Sequence, residues 1–262
     1  MSDSSSRSPF DDLRRALDGG FVPVAADLDP ASPSVRVDLN RLRRTGIPEV
    51  VHAANKSPKD VANALRQLAE AEGRALASRV PADAVEALRT MLEPEFGAEW
   101  IPDARAVVVR KHGVGPIRSG GVVGVLSAGT SDIPFAAEAA LMAAEMGCEV
   151  LQAWDVGVAG LHRLIEPLER FAAADTDAII VAAGMDGALP AVVAGLVSVP
   201  VIGLPTSIGY GLGAAGVGAL TSMLQSCAPG LVVVNIDNGI GAGSSAALIA
   251  NRAALARSGK RR

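Results

Sequence analysis

GVVGVLSAGTSDIPFAAEAALMAAEMGCEVLQAW, residues 121–154, decides the fold. An uncharged apolar run at 121–127 meets a small polar turn, AGTSD; an Ala- and Met-rich stretch of helical length follows from Pro134 to Met146, then a second apolar run at 149–154. Two buried strands joined by a helix run parallel, because the crossover returns the chain to the same end of the sheet. The beat then repeats. A helix from Gly160 leads to a strand at 178–182, one from Ala188 to a strand at 200–204, and one from Gly213 to a strand at 231–236, with a final helix from Ala242. The expected class is α/β, a doubly wound five-stranded parallel sheet over 121–256, with functional groups beyond the carboxyl ends of its strands.

Working back toward the N-terminus, the pattern is shorter and mixed. Residues 1–8 are Ser-rich and aperiodic, which predicts disorder. Phe10, Leu13 and Leu17 form a helical stripe; Pro58 opens a helix with Val61, Leu65 and Leu68 on one face; a third helix is expected from Pro81 to Leu92. Strands are expected around Val50, around Leu76 and from Ala106 to Val109. Residues 9–115 therefore read as a smaller N-terminal α/β domain, Lys111 to Gly120 as a linker, and 257–262 as a basic tail.

Composition narrows the classes of function. In 262 residues, 24 Lys and Arg stand against 28 Asp and Glu; the one basic run, Arg257 with Lys260, Arg261 and Arg262, is at the chain end. That leaves no cationic face for nucleic acid. Residues 187–236 carry no Asp, Glu, Lys or Arg, yet Pro190, Pro200, Pro205 and Pro229 cut them into pieces shorter than the ~20 residues of a spanning helix. No signal-type apolar run opens the chain, and two cysteines make no disulfide framework. A cytoplasmic protein is expected, with neither nucleic acid nor membrane as partner.

The strand ends carry the chemistry. AGTSD (128–132) follows the first strand of the repeat, DVGVAGLHR (155–163) the second, AGMDGALP (183–190) the third, PTSIGYG (205–211) the fourth and NIDNGIGAG (235–243) the fifth. Gly129, Thr130 and Ser131 suit an anion at a helix N-terminus, since small residues let backbone N–H groups approach it. Each also has a plainer reading. Asp132 suits a helix cap, His162 and Arg163 a solvated pair, Gly241 and Gly243 close packing, and Cys148 a small buried hydrophobe. Asp186 is harder to explain away. A carboxylate among Gly, Met and Ala is costly unless paired, hydrogen-bonded or wet. No GxGxxG follows the first strand, so the usual dinucleotide fingerprint is absent.

In this order the five motifs, with MLQSCAPG at 223–230, resemble the LarB family of nickel-pincer cofactor biosynthesis, whose C-terminal domain is similar to the PurE aminoimidazole ribonucleotide carboxylases, a flavodoxin-like fold. The resemblance spans about residues 38–252, resting toward the N-terminus on DLNRLRRTGIPEVVHAANKS (38–57) and ALASRV (75–80). One position departs: LarB-type chains usually carry Glu where Asp186 stands, one methylene longer.

The resemblance implies carboxylation by CO2 of the pyridinium ring of nicotinic acid adenine dinucleotide, with hydrolysis of its phosphoanhydride, giving pyridinium-3,5-biscarboxylic acid mononucleotide and AMP. It implies Cys227 as the nucleophile that first adds to the electron-poor ring, and Asp186 in hydrolysis or proton removal. Gly129, Thr130, Ser131, Asp132, Asp155, His162, Arg163, Gly184, Asp237 and Asn238 are implied around the substrate, with Mg2+ on the pyrophosphate and a homo-octameric assembly. Two alternatives share the fold: a PurE-type carboxylase or mutase, whose AxAHLPG motif has a histidine that Met185–Pro190 lacks, and a non-catalytic nucleotide-binding regulator. Topology adds one expectation. Cys227 lies on a helix-to-strand connection, at the rim opposite its own chain's AGTSD and AGMDGALP turns.

Overall fold

The computed structural model describes residues 35–259 apart from 94, 116 and 117, so the stripe at Phe10, Leu13 and Leu17 and the Ser-rich start lie outside the described residues. In chain order the elements are α1 (Arg41–Thr45), β1 (Val50–His52), α2 (Pro58–Glu72), β2 (Arg74–Ser78), α3 (Val85–Leu92), β3 (Gly97–Ile101), β4 (Ala106–Arg110), β5 (Val122–Ser127), α4 (Ile133–Glu145), β6 (Glu149–Ala153), α5 (His162–Ala173), β7 (Ala178–Ala183), α6 (Leu189–Ala194), β8 (Val201–Pro205), α7 (Val217–Leu224), β9 (Leu231–Val233) and α8 (Gly239–Arg257).

Strands β5 to β9 form one all-parallel sheet in the order β6-β5-β7-β8-β9. Alternation along each strand assigns its two faces. Val123, Val125, Ile180 and Ile202 point to the side of α4 and α8, while Leu126, Ile179, Val181 and Val201 point to the side of α5, α6 and α7. Helices on both faces make the sheet doubly wound, as expected. The N-terminal sheet, in the order β1-β2-β4-β3, is mixed: β1 is parallel to β2, and β4 is antiparallel to both β2 and β3. One of its faces packs on α2 and α3 through Ala75, Ala77, Val107 and Val109. The other packs on α4 and α8 through Leu76, Ala106 and Val108, so one core runs through both sheets.

Helix α4 lies between the two sheets and is buried almost all round, which explains its lack of a polar stripe. Its two buried acids face N-terminal arginines. Glu145 pairs with Arg74 (3.5 Å) and with Arg110, while Glu138 faces Arg79 at 3.7 Å. Against α4 packs α8, where a side chain at Gly243 would collide with the Ala139 carbonyl. Close packing thus accounts for Gly243.

Several boundaries differ from expectation. Strand β9 stops at Val233, because the chain turns at once into the 235–238 segment and α8 already begins at Gly239. The helices expected from Gly160 and Gly213 start later, each behind a 3₁₀ turn, Val158–Gly160 and Gly211–Gly216. The helix expected from Pro81 likewise opens as a 3₁₀ turn, Ala82–Ala84, before α3. Helix α1 and strand β3 were not anticipated: α1 buries none of its residues, and β3 is a half-exposed edge without an apolar run. Arg257 ends α8 and pairs with Asp177, while 260–262 lie outside the described residues.

Candidate active site

The chain passes from β5 outward to β6, then crosses to β7 on the other side of β5, so the turns after β5 and β7 diverge and leave a crevice. A cleft of about 380 Å3 lies there, lined by Gly129, Thr130, Ser131, Asp132, Asp155, Arg163, Gly184 and Asp186, with Ile208 from the turn after β8. That volume falls within the usual range for a small-molecule site.

Asp132 forms the floor. It stands at the N-cap position of α4, yet its carboxylate accepts no bond from the helix. Instead Oδ2 accepts from the Gly129 N–H at 2.9 Å and Oδ1 from the Thr206 hydroxyl at 2.6 Å, tying the turns after β5 and β8 together. Burial pushes its pKa up; the Thr206, Gly129 and Gly184 hydrogen bonds oppose that rise, and the Asp237 charge adds to it. Gly184 allows this closeness, because a Cβ there would strike the Ile208 carbonyl and stand 2.8 Å from Thr206 Oγ1.

The walls are wetter. Thr130 and Ser131 are exposed on a 3₁₀ turn that leads into α4. Arg163 donates to Asp155 at 3.0 Å, both partly exposed, and is the one cationic side chain lining the cleft among the described residues. Asp186 is exposed, and its Oδ1 accepts only a long 3.4 Å contact from the Ala188 N–H. Of the three ways to tolerate a carboxylate at that strand end, solvation is the one used.

The remaining sequence-derived residues lie apart. His162 begins α5, exposed, and does not line the cleft. Asp237 accepts from the Ser207 N–H at 2.7 Å, and Asn238 caps α8 by accepting from Gly241 N–H. Cys227 is exposed between α7 and β9, where Gly230 accepts from the N–H of Val201 at the start of β8. That is the amino rim, opposite the cleft. Cys148 is buried; its thiol faces Asn251 Oδ1 at 3.3 Å, and burial pushes its pKa to about 11. Thr206, Met185 and Ile208 were missed by the sequence reading. Thr206 alone gave a signal, a hydroxyl directly after an apolar strand.

Among the described residues no group of three His, Cys, Asp or Glu side chains could hold a metal. Asp132 has both oxygens engaged and Asp155 is paired, so these carboxylates do not form a resident Mg2+ cage.

Comparison with known families resolves the identity. The AIR carboxylase model matches residues 122–260, and the LarB/PurE-like N-terminal domain model matches residues 30–111. This chain belongs to the LarB family. It is also 42% identical over 218 residues to the uncharacterized protein MJ0165 of Methanocaldococcus jannaschii, covering 82% of this chain and 84% of that one. Its LarB-type fold is a PurE-like carboxylase domain joined to a smaller mixed-sheet domain, and no helix among the described residues is long and apolar enough to cross a membrane.

Proposed function

We propose that this LarB-family protein carboxylates the pyridinium ring of nicotinic acid adenine dinucleotide with CO2 and hydrolyses the phosphoanhydride, releasing AMP and pyridinium-3,5-biscarboxylic acid mononucleotide for a nickel-pincer cofactor. The observation that carries the reading is the joining of a LarB-type N-terminal domain to an AIR carboxylase domain in one chain. The site chemistry is compatible with it. Thr130, Ser131 and Arg163 offer hydroxyls and a cation to phosphate. A second, open cleft of about 590 Å3, walled by Tyr210, Leu212 and Val217, meets the first at Met185 and Asp186, so the two halves of a dinucleotide can lie on either side of Asp186.

A pyridinium ring is too electron-poor to attack CO2. Addition of a thiolate to the ring gives an enamine-like dihydropyridine whose carbon bonds to CO2; a base takes the proton from that carbon, and loss of the thiolate restores the aromatic ring. Water divides the phosphoanhydride; Mg2+ carried on the substrate's pyrophosphate would offset its negative charge beside Thr130, Ser131 and Arg163. Asp186, solvated and at the meeting of the two clefts, serves as the base or as the group that activates water. Cys227 serves as the thiol. Because its rim faces away from its own cleft, it acts in a neighbouring subunit of a homo-oligomer, an octamer in our reading. Leu224 and Val232, outside both clefts, expose apolar surface that such an assembly would cover.

The test is incubation of the purified protein with nicotinic acid adenine dinucleotide, bicarbonate and Mg2+. AMP together with a doubly carboxylated mononucleotide in the mass spectrum is expected. AMP without ring carboxylation would reduce the protein to a hydrolase, and neither product would remove the reading.

A further inference from the structure

Arg79, the residue that follows β2, reaches from the N-terminal sheet to the C-terminal domain, and the mechanism above leaves it unused. Its backbone is left-handed (φ 53°), a region disfavoured for a residue with a Cβ, and so is that of Arg105 (φ 49°). Both guanidinium groups turn toward α4. Arg105 lies over the Phe135 ring at 5.3 Å, and Arg79 Nε stands 3.7 Å from Glu138 Oε1, a buried oxygen without a hydrogen-bond partner. The far end of Arg79 does something else. Its Nη2 donates to the backbone carbonyl of Asp237.

Asp237 is in turn committed to the segment that closes the cleft. Its N–H donates to the Pro205 carbonyl at 2.8 Å and its Oδ1 accepts from the Ser207 N–H at 2.7 Å. The next residue, Ile208, lines the cleft and accepts from the Met185 N–H at 2.9 Å. A short series of hydrogen bonds therefore runs from the N-terminal sheet through Arg79, Asp237, Ser207 and Ile208 to Met185, beside Asp186. An ion pair needed only to neutralise Glu138 would not require the Asp237 link.

We propose that Arg79 is a positioning residue through which the N-terminal domain braces the Ser207–Ile208 segment and, with it, the Met185–Asp186 turn. The proposal rests on the reading of that cleft as the reaction site. Arg79→Met removes the brace but also leaves Glu138 without its nearest cation, so stability and positioning must be separated. Arg79→Met combined with Glu138→Gln removes the buried charge and leaves the Asp237 carbonyl with only the Gly239 N–H, at 3.0 Å, from its own chain segment.

Two readouts are taken on full-length protein. Hydrogen exchange at the Ser207 and Met185 amides, referenced to Ile180 and Val181 in β7, is measured without ligand at 25 °C; kcat and KM are measured for AMP release. In the double variant the two site amides should exchange roughly tenfold faster relative to the β7 amides, and kcat should fall roughly tenfold with KM changed little. Glu138→Gln alone should move neither. Unchanged relative exchange, or faster exchange with wild-type kcat, would overturn the proposal and leave Arg79 as the ion-pair partner of Glu138. If wild-type protein releases no AMP, the functional reading fails while the exchange ratio still decides whether the brace exists.

Discussion

The Thr206 hydroxyl donates to Asp132 Oδ1 at 2.6 Å with both residues buried, Thr206 fully and Asp132 save for its edge on the cleft, joining the turn after β8 to the turn after β5. Thr206→Val keeps the shape and leaves that oxygen buried without its donor. Loss of a partner from a buried polar group costs about 1–3 kcal/mol, more when the group is charged. Denaturant unfolding should show a loss of that size for Thr206→Val and a smaller one for Thr206→Ser. A Val variant as stable as wild type would mean that water from the cleft replaces the Thr206 donor at Oδ1.

The same carboxyl predicts a pH dependence. Burial raises the Asp132 pKa from its ordinary 3.8, so between that value and the folded-state pKa the folded chain holds a proton that the unfolded chain has lost. Its contribution to stability is therefore fully present below about pH 3.8 and declines as pH rises through the folded pKa. Unfolding free energies of wild type and Asp132→Asn, measured from pH 4 to 8, should show wild type losing ground as pH rises. Asp177 runs the other way. Burial resists its ionisation, but the Arg257 and Val122 hydrogen bonds outweigh that and hold its pKa down, so its stabilisation fades as acid titrates it. A wild-type advantage over Asp132→Asn that grows with pH would contradict the burial argument.

What was legible in the chain followed its patterning. Strands β5, β7 and β8 are buried on both faces and read as continuous apolar runs, so they were placed almost to the residue. Helix α1 and strand β3 escaped because exposed or edge elements have little apolar period to betray them. Thr130, Ser131 and Asp186, which line the cleft, were legible as polar residues at apolar strand ends, whereas Arg163 read from the residues alone as half of a solvated pair and came to the site only through the family resemblance. Arg79 was not legible, since a long-range bond to the carbonyl of residue 237 leaves no local trace. Asp132 showed only its position. Which donors its two oxygens meet depends on three turns brought together by the sheet.

Asp186 is exposed and nearly unbonded, so replacing it should spare the fold. Asp186→Asn should keep the Tm and nucleotide binding of wild type while cutting turnover on the order of a hundredfold or more, the scale of a lost general base. Asp186→Glu, which restores the residue usual in the family, should stay active. Unchanged carboxylation and AMP release in the Asn variant would make Asp186 a solvated turn residue.

The two thiols should differ sharply. Cys227 is exposed, whereas Cys148 is buried beside Asn251 with its pKa pushed to about 11, leaving almost no thiolate at neutral pH. Since the thiolate is the reactive form, iodoacetamide under native conditions should label Cys227 first, by more than tenfold in rate on intact-mass and peptide analysis. Cys227→Ser should then abolish ring carboxylation and Cys148→Ser should not. The opposite rims of cleft and thiol make the last step decisive. Subunits bearing Cys227→Ser keep an intact Asp186 cleft, and subunits bearing Asp186→Asn keep an intact thiol, so verified mixed oligomers should regain partial activity if the thiol serves a neighbour. Absence of rescue would return Cys227 to its own chain's site and require the 225–230 connection to move across the sheet. Full activity in Cys227→Ser would remove the covalent step.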